Sequence, residues 1–288
     1  MRIAAAAYPM DPVVSWDAWR AKTARWVTEA DADLLVFPEY GAMELACLDG
    51  LDAAADLERS LHAVARHGPQ AQAHWAALAK DHACAILTPS GPWDAGQARP
   101  VNRAWFHGAD GTLGYQDKQI MTRFEREVWD VQAGDPLRVF EVGDVRIGVL
   151  ICYDAEFPVL AESLFRQGVD LLLVPSCTDG LAGYNRVRIG AMSRALEGQC
   201  VVVQAPTVGA CDWSPAVDEN RGAAAIYGPP DLGFPDDGIL AVGPLDVPGW
   251  VRAEIDPVAI ARVRADGQVL NHAHRSEAAR RAARLISP

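Results

Sequence analysis

Basic charge is what this chain has least of. Lysine and arginine number 26 against 38 aspartates and glutamates, which leaves a net charge of −12 over 288 residues and a pI near 5.0. Surfaces that hold nucleic-acid phosphates or anionic lipid need the opposite sign, so neither partner is expected. The one basic concentration, Arg275–Arg284, alternates with alanines and reads as an ordinary solvated helix. Cysteine pairing is lacking too. Cys47, Cys84, Cys152, Cys177, Cys200 and Cys211 form no C-x-x-C and share no spacing, which excludes a disulfide framework and a zinc-ligand pattern. No apolar run approaches the ~20 residues that span a bilayer. Met1–Pro9 opens like a weak signal segment, but it is short, mostly alanine, and stopped by Pro9 and Asp11. A soluble protein of the reducing cytoplasm is the expectation.

What is present is a 50% hydrophobic chain, enough for one large α/β core. Apolar runs alternate with helical patterns. A strand is expected at Ile3–Tyr8, then a helix capped by Ser15 with Trp16, Trp19, Trp26, Val27 and Ala30 near helical spacing. Leu34–Phe37, stopped by Pro38, has the pattern of a strand buried on both faces. Helices are expected over Ala53–Arg66 and Gln70–Asp81, separated by Gly68-Pro69, then a strand at Cys84–Thr88. Arg103–His107 with Leu113–Lys118, and Val139–Val142 with Val145–Cys152, read as hairpins about Ala109-Asp110-Gly111 and Gly143-Asp144. Helices (Pro158–Gln167, Tyr184–Glu197) then alternate with strands (Asp170–Val174, Cys200–Gln204), and further strands fall near Ala223–Tyr227, Ile239–Val242 and Val251–Ile255, with a loop at Gly228–Gly238. Hairpins together with crossover helices predict mixed sheets.

Three reactive side chains sit at ends of apolar strands, where a rigid frame can hold them. In Val149-Leu-Ile-Cys-Tyr-Asp-Ala-Glu-Phe-Pro158 the strand is expected to end at Cys152 and turn into a helix, whose N-terminus would lower the thiol pKa and supply oxyanion donors. The plain alternative is a buried small hydrophobe. In Leu34-Leu-Val-Phe-Pro-Glu39-Tyr40 a carboxylate follows the strand and is partly desolvated, which suits general acid–base work; a solvated loop glutamate is the alternative. In Tyr115-Gln-Asp-Lys118 the lysine either meets a developing oxyanion or faces water.

Taken in order, Phe37-Pro38-Glu39, Tyr115-Gln116-Asp117-Lys118 and Ile151-Cys152-Tyr153-Asp154 resemble the Glu, Lys and Cys blocks of the nitrilase superfamily of carbon–nitrogen hydrolases. Glu156-Phe157-Pro158, Gly168–Pro175, and Arg194–Glu197 before Val201–Gln204 extend the resemblance to roughly Asp256. It implies a four-layer αββα sandwich of two mixed sheets over residues 1–256, with 257–288 as a helical extension packing on the domain or on a partner subunit. It also implies homodimers or larger assemblies, and a mechanism without metal or organic cofactor. Glu39 would serve as base, Cys152 as nucleophile, and Lys118 with the Tyr153 backbone N–H as oxyanion donors. A second active-site glutamate falls between the Lys and Cys blocks. Counting forward from Lys118 favours Glu125 and counting back from Gly134 favours Glu127; Glu127 is preferred because the lysine side of this stretch varies more in length across the family.

Tyr40, Glu156 and Thr178, the last in the Thr178–Tyr184 loop, are expected to line the substrate pocket. Relatives that cleave N-carbamoyl amino acids carry an arginine shortly after the nucleophile, where this chain has Asp154-Ala155-Glu156. A small neutral or cationic linear amide is therefore the expected substrate, ahead of nitriles and N-carbamoyl amines. The other class is a silent or thiol-redox binding protein on the same fold, disfavoured by the intact Glu, Lys and Cys and by the absence of an evident resolving cysteine. Cys177, at a strand end after Val174-Pro175-Ser176, either lies near the pocket or packs, and packing is preferred; His272-Ala-His274 reads as a surface turn rather than a metal site.

Overall fold

The computed structural model describes residues 1–284. Its strands are β1 (Arg2–Pro9), β2 (Leu34–Val36), β3 (Ala85–Leu87), β4 (Gly91–Trp93), β5 (Val101–His107), β6 (Leu113–Asp117), β7 (Val139–Val142), β8 (Val145–Val149), β9 (Leu171–Ser176), β10 (Val201–Ala210), β11 (Glu219–Asn220), β12 (Ala225–Tyr227), β13 (Ile239–Val242) and β14 (Gly249–Glu254). The helices are α1 (Trp16–Ala30), α2 (Leu51–Ala54), α3 (Leu57–Asp81), α4 (Arg123–Glu127), α5 (Pro158–Phe165), α6 (Leu181–Gly198), α7 (Pro257–Asp266) and α8 (Asn271–Ala282).

Two mixed sheets result. In one, β1, β2 and β3 run parallel, β14 flanks β1 antiparallel, and β5 pairs antiparallel with β3, β4 and β6. In the other, β8, β9 and β10 run parallel, with β7 antiparallel at one edge and β12 and β13 at the other. The sheets join where Tyr8 and Pro9 of β1 pair with Thr207 and Val208 of β10. Alternation along β1 shows the layering. Ile3, Ala5 and Ala7 pack with Leu171–Val174 and Val201–Val203 of the second sheet, while Ala4, Ala6 and Tyr8 pack with Trp19 and Trp26 of α1 and Leu61 and Trp75 of α3. Leu164 of α5 and Val187, Ala191 and Ala195 of α6 cover the second sheet. This is the four-layer αββα sandwich.

Ser15 caps α1 by accepting from the Ala18 N–H, as expected. One helical boundary is corrected. Instead of breaking at Gly68-Pro69, α3 runs unbroken through both residues. Its buried stripe, Leu61, Val64, Gly68, Ala71, Trp75 and Leu78, keeps helical spacing across the proline, and that burial outweighs the lost backbone bond. Gly68 also lies against Trp93, where a Cβ would come within 2.5 Å of the indole.

At the C-terminal end, Ile260 and Val263 of α7 are buried and Arg264 pairs with Asp170 at 2.6 Å. No residue of α8 is buried, although Arg275 reaches Glu162 of α5 at 3.2 Å. His272 sits at the start of α8 with its Nδ1 on the Gly198 carbonyl. Residues 285–288 of the expected extension lie outside the described residues. Among the described residues no helix is long and apolar enough to cross a membrane.

Candidate active site

Strand ends gather the reactive groups. Glu39 follows β2, Lys118 follows β6, Cys152 follows β8 and Cys177 follows β9. All four line one cleft of about 580 Å³, together with Tyr40, Glu125, Trp129, Tyr153, Glu156 and Thr178.

The turn that presents Cys152 differs from the sequence expectation. β8 stops at Val149, and Cys152 heads a 3₁₀ turn, Cys152–Glu156, before α5 begins at Pro158. Cys152 takes a left-handed φ of 51°, which is costly for a residue with a side chain and is typical of functional turns. Asp154 fixes this turn, since its carboxylate accepts from the N–H groups of Ile151, Gln119 and Ile120 and so ties the cysteine turn to the segment after Lys118. From the other side, Gly190 lets α6 press against the turn, because a Cβ there would lie 2.8 Å from the Ala155 carbonyl oxygen. Arg194 donates to that same carbonyl at 3.1 Å.

Lys118 lies between two carboxylates, with Nζ 2.7 Å from Glu39 Oε1 and 2.6 Å from Glu125 Oε2. Glu39 also accepts from Asn102 Nδ2 and from the Cys177 N–H, each at 3.0 Å. Glu125 accepts from the Tyr40 hydroxyl at 2.6 Å and from Thr122 N and Oγ1, both at 2.8 Å. The preference for Glu127 is thus overturned. Glu127 is exposed and pairs with Arg123 along α4, two residues past the position that points inward. Thr122 and Glu125 form a capping box at the start of α4, and this turns Glu125 back toward the lysine.

The electrostatics of the two carboxylates diverge. Burial pushes the Glu39 pKa up, and Lys118 only partly offsets this. Burial acts on Glu125 in the same sense, but Lys118, Tyr40 and Thr122 outweigh it and hold its pKa below the ordinary glutamate value. Burial alone would lower the Lys118 pKa, yet Glu125 and Glu39 hold the ammonium well above its usual range. The Cys152 thiol is pushed up rather than down, first by burial and then by the Glu39 charge. The expected thiolate-stabilising helix end is replaced by a short 3₁₀ turn, with the thiol buried beside a carboxylate. Such a thiol needs a base to take its proton when it attacks.

The remaining sequence candidates fall as follows. Tyr153 adjoins Cys152 and lines the cleft, its ring edge-on to Phe157. Tyr40 lines it too, with its hydroxyl already engaged by Glu125. Glu156 lies in the wall and pairs with Arg186 at 3.5 Å. Thr178 donates to the Arg221 carbonyl at 2.8 Å. Asp179 and Gly183 join it in the wall, although from Leu181 onward the expected loop is helix α6. Missed in the sequence were Arg123 and Arg186, which line the cleft despite the missing arginine after Cys152; each is paired with a carboxylate. Asn102 and Asp154 were also missed as supports, and Cys177, read as packing, is a lining residue. Among the described residues no group of three or more His, Cys, Asp or Glu is arranged to hold a metal ion.

The family model for carbon-nitrogen hydrolases matches residues 2–264. The probable hydrolase YhcX of Bacillus subtilis is 34% identical over 173 residues, 60% of this chain and 34% of that protein. A deaminated glutathione amidase of Synechocystis sp. is 32% identical over 126 residues, 44% of this chain and 43% of that protein. The chain thus matches less than half the length of either relative. The structure of Saccharomyces cerevisiae Nit3, a member of the nitrilase superfamily, superposes with a TM-score of 0.71 at 20% identity, covering 92% of this chain and 93% of Nit3.

Proposed function

The chain belongs to the carbon–nitrogen hydrolase family, and from that membership we propose that it hydrolyses a small linear amide through a thioester on Cys152. The observation that carries this reading is the Lys118 ammonium held between Glu39 and Glu125 beside the Cys152 thiol. Glu39, raised by burial, takes the thiol proton as Sγ attacks the amide carbon. The carbonyl π pair moves onto oxygen, which Lys118 and the Tyr153 N–H stabilise. Collapse of the tetrahedral adduct breaks the C–N bond, and the departing nitrogen takes the proton from Glu39. Water then attacks the thioester with Glu39 as base, releasing the carboxylic acid and returning a proton to the thiol. Glu125 stays ionised and offsets the Lys118 charge between turnovers.

A neutral or cationic substrate fits the walls better than an acidic one. Both wall arginines are already paired, Arg186 with Glu156 and Arg123 with Glu127, and Asp179 and Glu219 add negative charge. Nitrile and N-carbamoyl amine hydrolysis rank behind, and the amidase among the relatives favours an amide. The working form would be a homodimer or larger assembly, consistent with the exposed Val159 of α5 and Ile189 and Leu196 of α6. The test is a panel of neutral, cationic and acidic amides read by ammonia release. Turnover of neutral or cationic members supports the reading, and turnover of acidic members alone would reverse the substrate class.

A further inference from the structure

Every polar group of Cys177 is engaged, each with a different part of the cleft. Its N–H donates to Glu39 Oε2 at 3.0 Å, and its carbonyl accepts from Cys152 Sγ at 3.7 Å. Its own thiol donates to Asn220 Oδ1 at 3.2 Å. Asn220 is 1% exposed, and its Nδ2 donates to the carbonyls of Val217 at 2.8 Å and Gly209 at 3.1 Å. The loop between Gly209 and Asn220 closes on itself through β10–β11 pairing and the Cys211 N–H to Asp218 carbonyl bond at 2.7 Å. Pro215, Ala216, Val217 and Glu219 of this loop form one wall of the cleft.

Cys177 therefore joins the base, the nucleophile and the substrate wall through three hydrogen bonds from a single residue at the end of β9. We infer that Cys177 is a positioning residue whose thiol–Asn220 link holds the 211–220 wall in register with Glu39 and Cys152. Resting on the roles proposed above, this link sets where a substrate leaning on the wall places its carbonyl relative to Sγ. Cys177 does not itself attack, since its thiol is turned to Asn220 and burial keeps it protonated. Loosening the wall weakens substrate seating while the backbone N–H and carbonyl of residue 177 still hold the reacting groups. The effect should therefore fall on KM more than on kcat.

A double-mutant cycle with the amide found by the panel tests this. Cys177→Ala is expected to raise KM about tenfold, the scale of one buried hydrogen bond, with kcat within about threefold. Cys177→Ser keeps a donor to Asn220 and should recover most of the loss. Asn220→Ala, which also loses the donors to Val217 and Gly209, should raise KM at least as far as Cys177→Ala, and the double variant should be no worse than Asn220→Ala alone. If Asn220→Ala does not fold, Asn220→Asp keeps the acceptor for the thiol, so adding Cys177→Ala to it should still raise KM about tenfold, and no further rise there would overturn the inference. Multiplying effects in the double variant, or a loss confined to kcat, would overturn the inference. Cys152→Ala run alongside separates the two levels: persistent ammonia release there defeats the proposed mechanism, whereas a dead Cys152→Ala with an additive cycle defeats only the role of Cys177.

Discussion

Lys118 Nζ lies 2.6 Å from Glu125 Oε2, while Glu127, one half-turn further along the same short helix, faces solvent with Arg123. The two glutamates should respond very differently to loss of charge. Glu125→Gln is expected to lower kcat by roughly 10²-fold or more, the scale of weakening an oxyanion donor, because Lys118 loses the carboxylate that holds and balances its ammonium. Glu127→Gln should stay within about twofold, as surface changes usually do. Steady-state ammonia release on both variants checks this, and a larger loss in Glu127→Gln would contradict the placement.

Removing the cation should be a stability event as well as a catalytic one. Lys118→Met leaves Glu39 and Glu125, both buried, facing each other without a counter-charge. A cost of about 3–5 kcal/mol is expected near neutral pH, the scale of breaking a buried pair from one side. Urea unfolding at fixed pH measures it. Adding Glu125→Gln to Lys118→Met should recover part of the loss, because one of the uncompensated charges is gone.

The thiol of Cys152 is held protonated by burial and by Glu39. Ultraviolet thiolate absorbance that disappears in Cys152→Ala should therefore be absent between about pH 6 and pH 9. The pH dependence of kcat/KM should fall on the acid side through a pKa above the ordinary glutamate value of 4.5, since Glu39 must be ionised to accept the proton. A thiolate titrating below pH 7 would contradict both expectations.

Asp154 ties the cysteine turn to Gln119 and Ile120, and burial raises its carboxyl to about 7 from 3.8. Folded protein thus binds this proton more tightly than unfolded chain. The stabilising contribution is fully present below pH 3.8 and is lost as pH rises through about 7. Asp154→Asn removes that titration, so its unfolding free energy should vary less over this window than that of the parent. Urea titrations at stepped pH read the difference, and parallel profiles would count against the assignment.

Much of this was legible in the sequence because the decisive signals are local. Apolar runs before Glu39 and Cys152, and a hairpin arm before Lys118, mark both the strands and the block order. The inward-facing glutamate carried a signal too, but one that counting along the chain passed over. Thr122-Arg-Phe-Glu125 is a capping box, which turns the glutamate back over the helix start, and no such partner precedes Glu127 by three residues. The hydrogen bonds of Cys177 were not legible, although its place at a strand end was. Its partners, Glu39 and Asn220, are distant in sequence, and only the crossing of β9 with the closed loop before Asn220 brings them together. Arg186 was missed for a related reason, since helical position on α6, not closeness to Cys152 in the chain, puts it in the wall. The unbroken α3 shows tertiary burial overriding a local Gly-Pro signal. The raised thiol pKa was hidden as well, because the residues after β8 read as a helix start and do not reveal how deeply the thiol is buried.

The central claim is that Cys152 carries the acyl group, and intact mass during turnover tests it most directly. With an amide substrate, the parent protein should release ammonia and, when quenched early, gain the mass of the acyl group. Cys152→Ala should show neither. Ammonia release unchanged in Cys152→Ala, or an adduct that persists there, would contradict the account.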